Sequence, residues 1–564
     1  MNIKWVAFLG FCAVAASSSC CEEDSDFSFP ENPRVTSPSG TFVGSLFTSR
    51  RGRNIYSFRG IRYAKPPVGA LRFRAPVAIN NYPQPVDARE DGPACPQSGN
   101  YFNTSEDCLF LNVYTPRLPP SPKAELLPVL FHMHPGGFYS LTGQSIISGP
   151  QYLLDHDIVL VTINYRLATL GLLATGDENA PGNNAFKDQV VALQWVQRNI
   201  RAFGGNPCSV TICGYSAGAV SVGLHMLSPM SKGLFHRAIM MSGSPTAQWV
   251  VPPHQRDLAK KQAELVGCPT DSISAIVDCL RTTPWQELGD SDDGFAVFGW
   301  DPVLRWKPVV EPDLGQPRFL PATPEELISK GHIHDVPLML GVNQLEFIII
   351  AYLVLSNDTL REEMDRDWTR IAPISFLLDL PKQRAIDASL ELYQDYIGDR
   401  PFTYNNDTAS ALGRLYGDGL VALGVHKFSW LMSEHLSSPI YYYKFNYTGT
   451  YSFATYPGTT TPIGATHHDE LIYLFYIPAD FPLIDLDSPD SDMVDKMTTM
   501  WTNFVIGGDP NSAGNQPALK GLCWPKLEPK TRKYLLINQR DFEVGSHMDE
   551  DRFAIWERLF SLNL

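Results

Sequence analysis

The chain has 564 residues, of which 44% are hydrophobic and 19% are charged. This is the composition of a globular protein, and it excludes collagen-like, coiled-coil and wholly disordered chains. The formal net charge of −15 repels phosphate backbones, so we expect no nucleic-acid partner.

The N-terminus has the layout of a secretory signal peptide over residues 1–19. Lys4 precedes an apolar stretch at residues 5–16, and small residues follow at 15–19. A bilayer span needs about 20 apolar residues, so this shorter stretch favours a cleaved leader over a membrane anchor. We therefore expect a secreted, extracellular protein.

Later parts of the chain fit a secreted protein without a stable membrane anchor. The longest later apolar run, residues 347–355, is too short for a span and is predicted to be a buried helix or a lid. The glycosylation triplet Asn-x-Ser/Thr occurs at Asn103, Asn357, Asn406 and Asn446. In a secreted chain, we expect these asparagines to lie at the surface and to carry glycans.

Apolar runs alternate with helical patterns along the rest of the chain. A hairpin is predicted from residues 42–47 and 55–63. Runs that are apolar throughout predict buried strands at 109–114, 129–133, 158–164, 210–213, 238–241, 336–340, 440–445 and 534–537. Helical spacing predicts helices at 188–200, 218–227, 255–266, 384–396 and 493–505. The alternation predicts an α/β fold with a large, mostly parallel central sheet and helices on both faces.

One serine lies in a pattern that is typical of catalysis. Residues 214–218 read Gly-Tyr-Ser-Ala-Gly, between the predicted strand 210–213 and the predicted helix that follows. This is the strand–turn–helix setting of a nucleophile elbow, where Ser216 is held on a tight turn with its hydroxyl exposed. The alternative interpretation is a glycine-rich turn with a bystander serine.

A serine hydroxyl is a poor nucleophile until a base takes its proton. His467, in residues 464–470, follows the predicted strand 440–445 and lies where a wound sheet presents its reactive groups. From the residues alone, His468 is an equal candidate, and any single histidine can be a surface or packing residue.

The acid and the oxyanion donors are sought at the ends of other predicted strands. Glu346 follows the strand at 336–340 and enters an apolar stretch, where a carboxylate needs a partner such as an imidazolium. It could instead be a glutamate at a helix start. Residues 134–138 read His-Pro-Gly-Gly-Phe after the strand at 129–133. Since proline has no N–H, Gly136 and Gly137 would be the donors here, together with Ala217.

Further motifs indicate a family. Residues 106–113 read Glu-Asp-Cys-Leu-Phe-Leu-Asn-Val, and residues 63–73 and 183–196 form two more blocks. With these motifs the sequence resembles the type-B carboxylesterases, the cholinesterase-like branch of the α/β-hydrolases, and in particular secreted insect carboxylesterases. The matches extend from about residue 35 to about residue 560.

The resemblance implies an α/β-hydrolase fold and a serine esterase that forms an acyl-enzyme. It implies a small carboxylic ester as the substrate, and no metal or cofactor. The implied site residues are the triad Ser216, Glu346 and His467 and the oxyanion donors Gly136, Gly137 and Ala217. His467 is selected over His468 because the family's histidine begins the block that ends at residues 469–471.

Disulfide bridges are also implied by the resemblance. It pairs Cys95 with Cys108 and Cys268 with Cys279. It leaves Cys20, Cys21, Cys208, Cys213 and Cys523 without an assigned partner. Of these, we expect Cys208 and Cys213 to be buried thiols.

The length alone would favour three or four domains at about 150 residues each. The implied reactive groups, however, extend from Gly136 to His467 and must meet in one site. No domain boundary can fall between them, so we expect a single domain over residues 20–564.

Three residues depart from the family's motifs. Pro135 replaces the first glycine of His-Gly-Gly-Gly, and His468 stands where glycine or alanine is common. Tyr215 stands where cholinesterases have glutamate and juvenile hormone esterases have glutamine. A juvenile hormone esterase-like hydrolase is one alternative function, and a non-catalytic cholinesterase-like adhesion or binding protein is another. The complete triad favours an enzyme.

Overall fold

The apolar runs of the sequence form the strands of one eleven-stranded sheet. The computed structural model describes residues 32–99, 101–121, 123–511, 516–539 and 541–560. The predicted leader, residues 1–19, and the cysteines at 20 and 21 lie outside these ranges. From Pro33 onward, the described residues pack as one unit.

Strands in the described residues belong to the eleven-stranded sheet or to a three-stranded sheet beside the N-terminus. They are β1 (Arg34–Ser37), β2 (Gly40–Val43), β3 (Ser45–Thr48), β4 (Asn54–Arg62), β5 (Val86–Asp87), β6 (Phe110–Thr115), β7 (Leu127–Met133), β8 (Val159–Ile163), β9 (Gly205–Tyr215), β10 (Arg237–Met241), β11 (Leu338–Asn343), β12 (Ile440–Phe445), β13 (Lys533–Ile537) and β14 (Phe542–Ser546).

Helices follow or separate most of the parallel strands. Those in the described residues are α1 (Ala168–Leu172), α2 (Asn184–Asn199), α3 (Ala217–Leu227), α4 (Arg256–Leu265), α5 (Ile273–Thr282), α6 (Trp285–Asp290), α7 (Pro324–Ser329), α8 (Ile348–Ser356), α9 (Asp358–Arg366), α10 (Trp368–Ser375), α11 (Lys382–Tyr396), α12 (Asn406–Gly417), α13 (Leu423–His435), α14 (Ser491–Gly507) and α15 (Glu550–Phe560).

The order of the large sheet is β14-β13-β12-β11-β10-β9-β7-β8-β6-β4-β3. The strands from β13 to β8 in this order are mutually parallel, and antiparallel strands lie at both edges. Gly214 is level with Met133 of β7, and Tyr215 is level with Met241 of β10. The carboxyl ends of these strands therefore meet at one edge, where a wound sheet places its functional loops.

Two hydrophobic clusters cover the two faces of the sheet, because successive strand residues point to opposite sides. In β10, Met240 belongs to the larger cluster and Met241 to the smaller one. Trp501 of α14 packs in the smaller cluster, whereas Val222 of α3 packs in the larger. The predicted α/β fold, with helices on both faces of a mostly parallel sheet, is confirmed.

The N-terminal hairpin differs from its prediction. The run at 42–47 is split at Gly44: β2 joins the small sheet, and β3 pairs with β4 in the large one. A Cβ on Gly44 would lie 2.4 Å from the carbonyl oxygen of Ser57, so the chain turns where only glycine fits. The apolar run at 347–355 forms the buried helix α8, and no helix in the described ranges is long and apolar enough to cross a membrane.

The structure contains both implied disulfides, Cys95–Cys108 and Cys268–Cys279. Cys213 is buried as expected, whereas the expectation for Cys208 is wrong. Cys208 is exposed because it is the fourth residue of β9, before the strand enters the covered part of the sheet.

Candidate active site

Ser216 lies in the sharp turn between β9 and α3. Its backbone has φ 54° and ψ −120°, a conformation that costs free energy for a residue with a side chain. The turn is tight because Gly214 and Gly218 are in contact: a Cβ on Gly214 would lie 2.2 Å from the carbonyl oxygen of Gly218. The backbone N–H of Ser216 donates to the carbonyl oxygen of Met241, which fixes the turn to β10.

A second glycine contact brings the loop after β7 against the elbow. A Cβ on Gly218 would lie 2.1 Å from the carbonyl oxygen of Met133. The loop then turns through Gly136 and Gly137, whose φ values are 112° and 58°. A Cβ on Gly136 would lie 2.0 Å from the carbonyl oxygen of Ser140, so the two glycines are needed for this path.

The loop is further fixed by the residues beside Pro135. The hydroxyl of Tyr165 donates to the carbonyl oxygen of His134 at 2.7 Å, and the two rings stack at 4.3 Å. Burial lowers the pKa of His134 to about 4, so this imidazole is neutral. In the described residues, the amides of Gly136, Gly137 and Ala217 donate to no protein acceptor. The arrangement leaves N–H groups free on both sides of the serine.

The side chains of Glu346 and His467 meet in the protein interior. Nδ1 of His467 lies 2.5 Å from Oε2 of Glu346, and both side chains are almost fully buried. The other carboxylate oxygen of Glu346 accepts from the hydroxyl of Ser242 at 2.5 Å and from the backbone N–H of Asn343 at 2.7 Å. Both oxygens of the carboxylate thus have hydrogen-bond partners, and the contact with Nδ1 fixes the orientation of the imidazole ring.

The opposite nitrogen of His467 is free. Nε2 is buried and has no hydrogen-bond partner among the described residues. The ring of Phe347 stacks on the imidazole at 4.1 Å, and the ring of Tyr215 meets it edge-on at 5.0 Å. Since Tyr215 directly precedes Ser216, the imidazole lies beside the elbow. Such a buried, unpartnered nitrogen is suited to accept a proton.

Side chains from several loops hold the histidine loop in place. The hydroxyl of Tyr215 accepts from the backbone N–H of His468 at 2.7 Å. The carboxyl of Asp469 accepts from the backbone N–H groups of Thr466 and Phe453 at 2.9 and 2.8 Å. Burial raises the pKa of Asp469 to about 7. The loop is therefore ordered by buried polar contacts.

A second buried carboxyl, Glu470, lies near Glu346. Burial and the nearby charge of Glu346 raise the pKa of Glu470 well above its ordinary value. Its Oε1 accepts from the hydroxyl of Tyr443 at 3.2 Å. The raised pKa favours the neutral form of Glu470, and Glu346, which is bonded to Nδ1 of His467, is the partner that can stabilise a charged imidazole.

The sequence predicts the six candidate residues but not three residues that hold them in place, Ser242, Asn343 and Tyr215. Each of the three contacts Glu346 or the histidine loop. The motif around Ser216 did not indicate this role for Tyr215. A signal was available for the first two, since each lies at the carboxyl end of a parallel strand. Among the described residues, no group of three or more His, Cys, Asp or Glu side chains could hold a metal ion.

The chain is similar to known esterases over most of its length. A family model described as the carboxylesterase family matches residues 31–556. Esterase FE4 from Myzus persicae is 37% identical over 500 residues, which cover 86% of each chain. Juvenile hormone esterase from Tribolium castaneum is 36% identical over 562 residues and 94% of each chain. The crystal structure of juvenile hormone esterase from Manduca sexta, with OTFP covalently attached, has a TM-score of 0.82. Its sequence identity is 26%, with 94% of this chain and 100% of that chain covered.

Proposed function

The chain belongs to the carboxylesterase family and is a carboxylic ester hydrolase, and we propose that Ser216, His467 and Glu346 are its catalytic triad. The observation that carries the proposal is the arrangement of His467. Nδ1 is bonded to a buried carboxylate, and Nε2 is free beside the elbow. This is the orientation that a general base for a serine needs.

In the proposed mechanism, Nε2 of His467 takes the proton of the Ser216 hydroxyl while Oγ attacks the ester carbonyl carbon. The C–O bond to the alcohol part then breaks, and the imidazolium gives its proton to the leaving alkoxide. An acyl-serine remains. A water molecule repeats the sequence and releases the carboxylic acid, which restores the serine. Glu346, which is bonded to Nδ1 of His467, stabilises the imidazolium.

The oxyanion that forms at each attack would be bound by the amides of Gly136, Gly137 and Ala217. These groups lie on both sides of the elbow and have no acceptor within the described chain. Because the glycine contacts fix them before substrate arrives, the donors need no reorganisation when the charge develops. Loss of one such donor costs about 10²–10³-fold in turnover in comparable sites.

The substrate class is proposed no more narrowly than carboxylic esters. The relatives named as esterase FE4 and as juvenile hormone esterase are about equally similar, at 37% and 36% identity. They therefore favour neither a general nor a hormone-specific substrate. The adhesion alternative is not adopted because His467 is bonded to Glu346 and its ring contacts Tyr215, the residue before Ser216, which supports a catalytic role.

We also propose that the protein is secreted. The predicted leader lies outside the described residues, but two disulfides are typical of an oxidising compartment. Asn103 and Asn406 are exposed, as glycan acceptors must be. Asn357 and Asn446 are half-buried. Nδ2 of Asn446, the atom that would carry the glycan, also donates to Oδ1 of Asn538 at 2.9 Å, so Asn446 is the poorest acceptor of the four. N-terminal sequencing and glycopeptide mapping of protein from the culture medium test this; protein retained in the cytosol would contradict it.

The experiment that tests the triad is the Ser216→Ala substitution. Hydrolysis of a short aryl ester should fall to the background rate, and labelling by an organophosphate probe should disappear. Wild-type protein is the positive control, and Ser221→Ala, at a buried serine of α3 one turn away, is the control substitution. Ester hydrolysis by Ser216→Ala at the wild-type rate would show that another residue is the nucleophile.

A further inference from the structure

The hydroxyl of Tyr215 lies where the three loops of the proposed triad meet. Tyr215 ends β9 and directly precedes the nucleophile. Its hydroxyl oxygen accepts from the backbone N–H of His468 at 2.7 Å and from Nδ2 of Asn343 at 3.2 Å. His468 directly follows the proposed base, and Asn343 lies three residues before the proposed acid. One buried oxygen, carried by the residue before the serine, therefore contacts the loops of both the proposed base and the proposed acid.

From this geometry we infer that Tyr215 is a positioning residue, which fixes the imidazole of His467 relative to Ser216. The inference rests on the proposed triad. The hydroxyl oxygen of Tyr215 lies 3.5 Å from Nδ1 of His467, and the two rings contact each other edge-on. The side chain does not touch the reacting atoms and acts through the loop.

The backbone is held on both sides of His467. On one side, His468 N–H donates to the Tyr215 hydroxyl. On the other side, the carbonyl oxygen of Thr466 accepts from Nδ2 of Asn343 at 2.6 Å. Nδ2 of Asn343 also donates to Tyr215, so the two side chains form a single connected pair. A loop fixed at both neighbours of the histidine cannot tilt without breaking these bonds.

The loop needs this support because His468 has φ 82°, in the left-handed region that disfavours a bulky side chain. The hydrogen bond to its N–H offsets that strain. Without the Tyr215 hydroxyl, the N–H would be buried without its acceptor, and the loop would relax toward another conformation. A displacement of about 1 Å at a reacting group costs about 10²-fold in rate.

The test compares Tyr215→Phe with Tyr152→Phe. Tyr152 is a matched control, because it is also buried and its hydroxyl accepts a backbone N–H, that of Ile484, at 2.8 Å. We expect kcat of Tyr215→Phe to fall about 10- to 100-fold with KM changed less than about twofold, because ground-state binding does not use the histidine. Tyr152→Phe should lose thermal stability to a similar extent and keep its kcat.

A second variant keeps the inference testable if Tyr215→Phe does not fold. Asn343→Ala removes the same link from the other side and should lower kcat selectively as well. In the double variant, the loss should be smaller than the product of the single losses, because both act through one connected pair.

The outcomes separate the inference from the proposed function. If Ser216→Ala keeps its activity, the triad itself is wrong. If Ser216→Ala is inactive while Tyr215→Phe keeps the kcat of Tyr152→Phe, the triad stands and the positioning role of Tyr215 is overturned. A loss in Tyr215→Phe that appears mainly in KM would also overturn it.

Discussion

The two ends of the proposed site are held in different ways. The serine end, residues 134–138 and 214–218, is fixed by backbone contacts between glycines and neighbouring carbonyl groups, at distances that exclude a Cβ. The histidine end, Glu346 and residues 464–470, is fixed by hydrogen bonds among buried side chains from separate loops. The serine end thus requires residues without a Cβ, whereas the histidine end requires specific polar side chains. Small changes should therefore damage the two ends through different mechanisms.

The largest effect is expected at the serine end, from Gly218→Ala. The added methyl group would lie 2.1 Å from the carbonyl oxygen of Met133, so the elbow and the oxyanion loop must separate. Overpacking of this kind costs about 1–3 kcal/mol of folding free energy. We expect all measurable ester hydrolysis and all organophosphate labelling to be lost.

The matched control for Gly218→Ala is Gly507→Ala. Gly507 is also helical, and a Cβ there would meet nothing within 4 Å. This variant should keep full activity and gain up to about 1 kcal/mol of stability from the helix propensity of alanine. Full activity in Gly218→Ala would show that the glycine contact does not hold the serine end.

At the histidine end, Glu346→Gln should lower kcat by about 10³- to 10⁴-fold with little change in stability. The amide keeps the shape of the side chain but removes the charge that stabilises the imidazolium. Steady-state kinetics at neutral pH measures the loss.

Glu470→Gln is the control for that variant. Burial and the charge of Glu346 raise the pKa of Glu470 and favour its neutral form. The neutral amide should therefore replace it with kcat within about threefold of wild type. If both glutamine variants lost activity equally, Glu346 would not be the specific partner of the histidine.

A pH-dependent effect, on stability and not on activity, separates the two ends further, because the amides of the serine end do not titrate. Burial raises the pKa of Asp469 from 3.8 to about 7. Below pH 4 both the folded and the unfolded chain bind this proton. Between about pH 4 and pH 7 only the folded chain binds this proton. The contribution of the Asp469 carboxyl to the free energy of unfolding therefore falls as the pH rises, by up to about 4 kcal/mol.

Asp469→Asn tests the effect, since the variant cannot titrate there. Urea unfolding at pH 5, 6, 7 and 8 gives the free energy of unfolding of both proteins. The free energy of unfolding of the wild type minus that of the variant should fall as the pH rises to 7 and then stay constant. Parallel pH dependences would show that Asp469 does not titrate in this window.

The same contrast explains what could be predicted from the sequence. The buried strands and the elbow were recognisable, because apolar runs and closely spaced glycines are local in the chain. Ser216, Gly136 and Gly137 followed from such local patterns. His467 could not be separated from His468 by the residues alone.

The contacts that hold the histidine end could not be predicted from local sequence patterns. The bond from Asn343 to Tyr215 joins residues 128 positions apart, and the bond from Tyr215 to His468 spans 253 positions. These contacts exist because β9, β10 and β11 are neighbours in register, and that requires the whole sheet. The split of the predicted strand at Gly44 has the same origin, since the obstructing carbonyl belongs to β4.

The position of β12 has a consequence for the newly made chain. This strand leads to the histidine loop, and its outer neighbour, β13, is made almost a hundred residues later. Once the ribosome has added His467, the chain holds every proposed reactive group. In the sheet order, only β13 and β14 lie outside β12, so without them β12, whose residues are all buried in the finished protein, would be an uncovered sheet edge. Such an edge pairs readily with other chains. β13 covers this edge in the finished protein, although it contains none of the proposed reactive groups, and we expect a chain that lacks β13 to aggregate more readily.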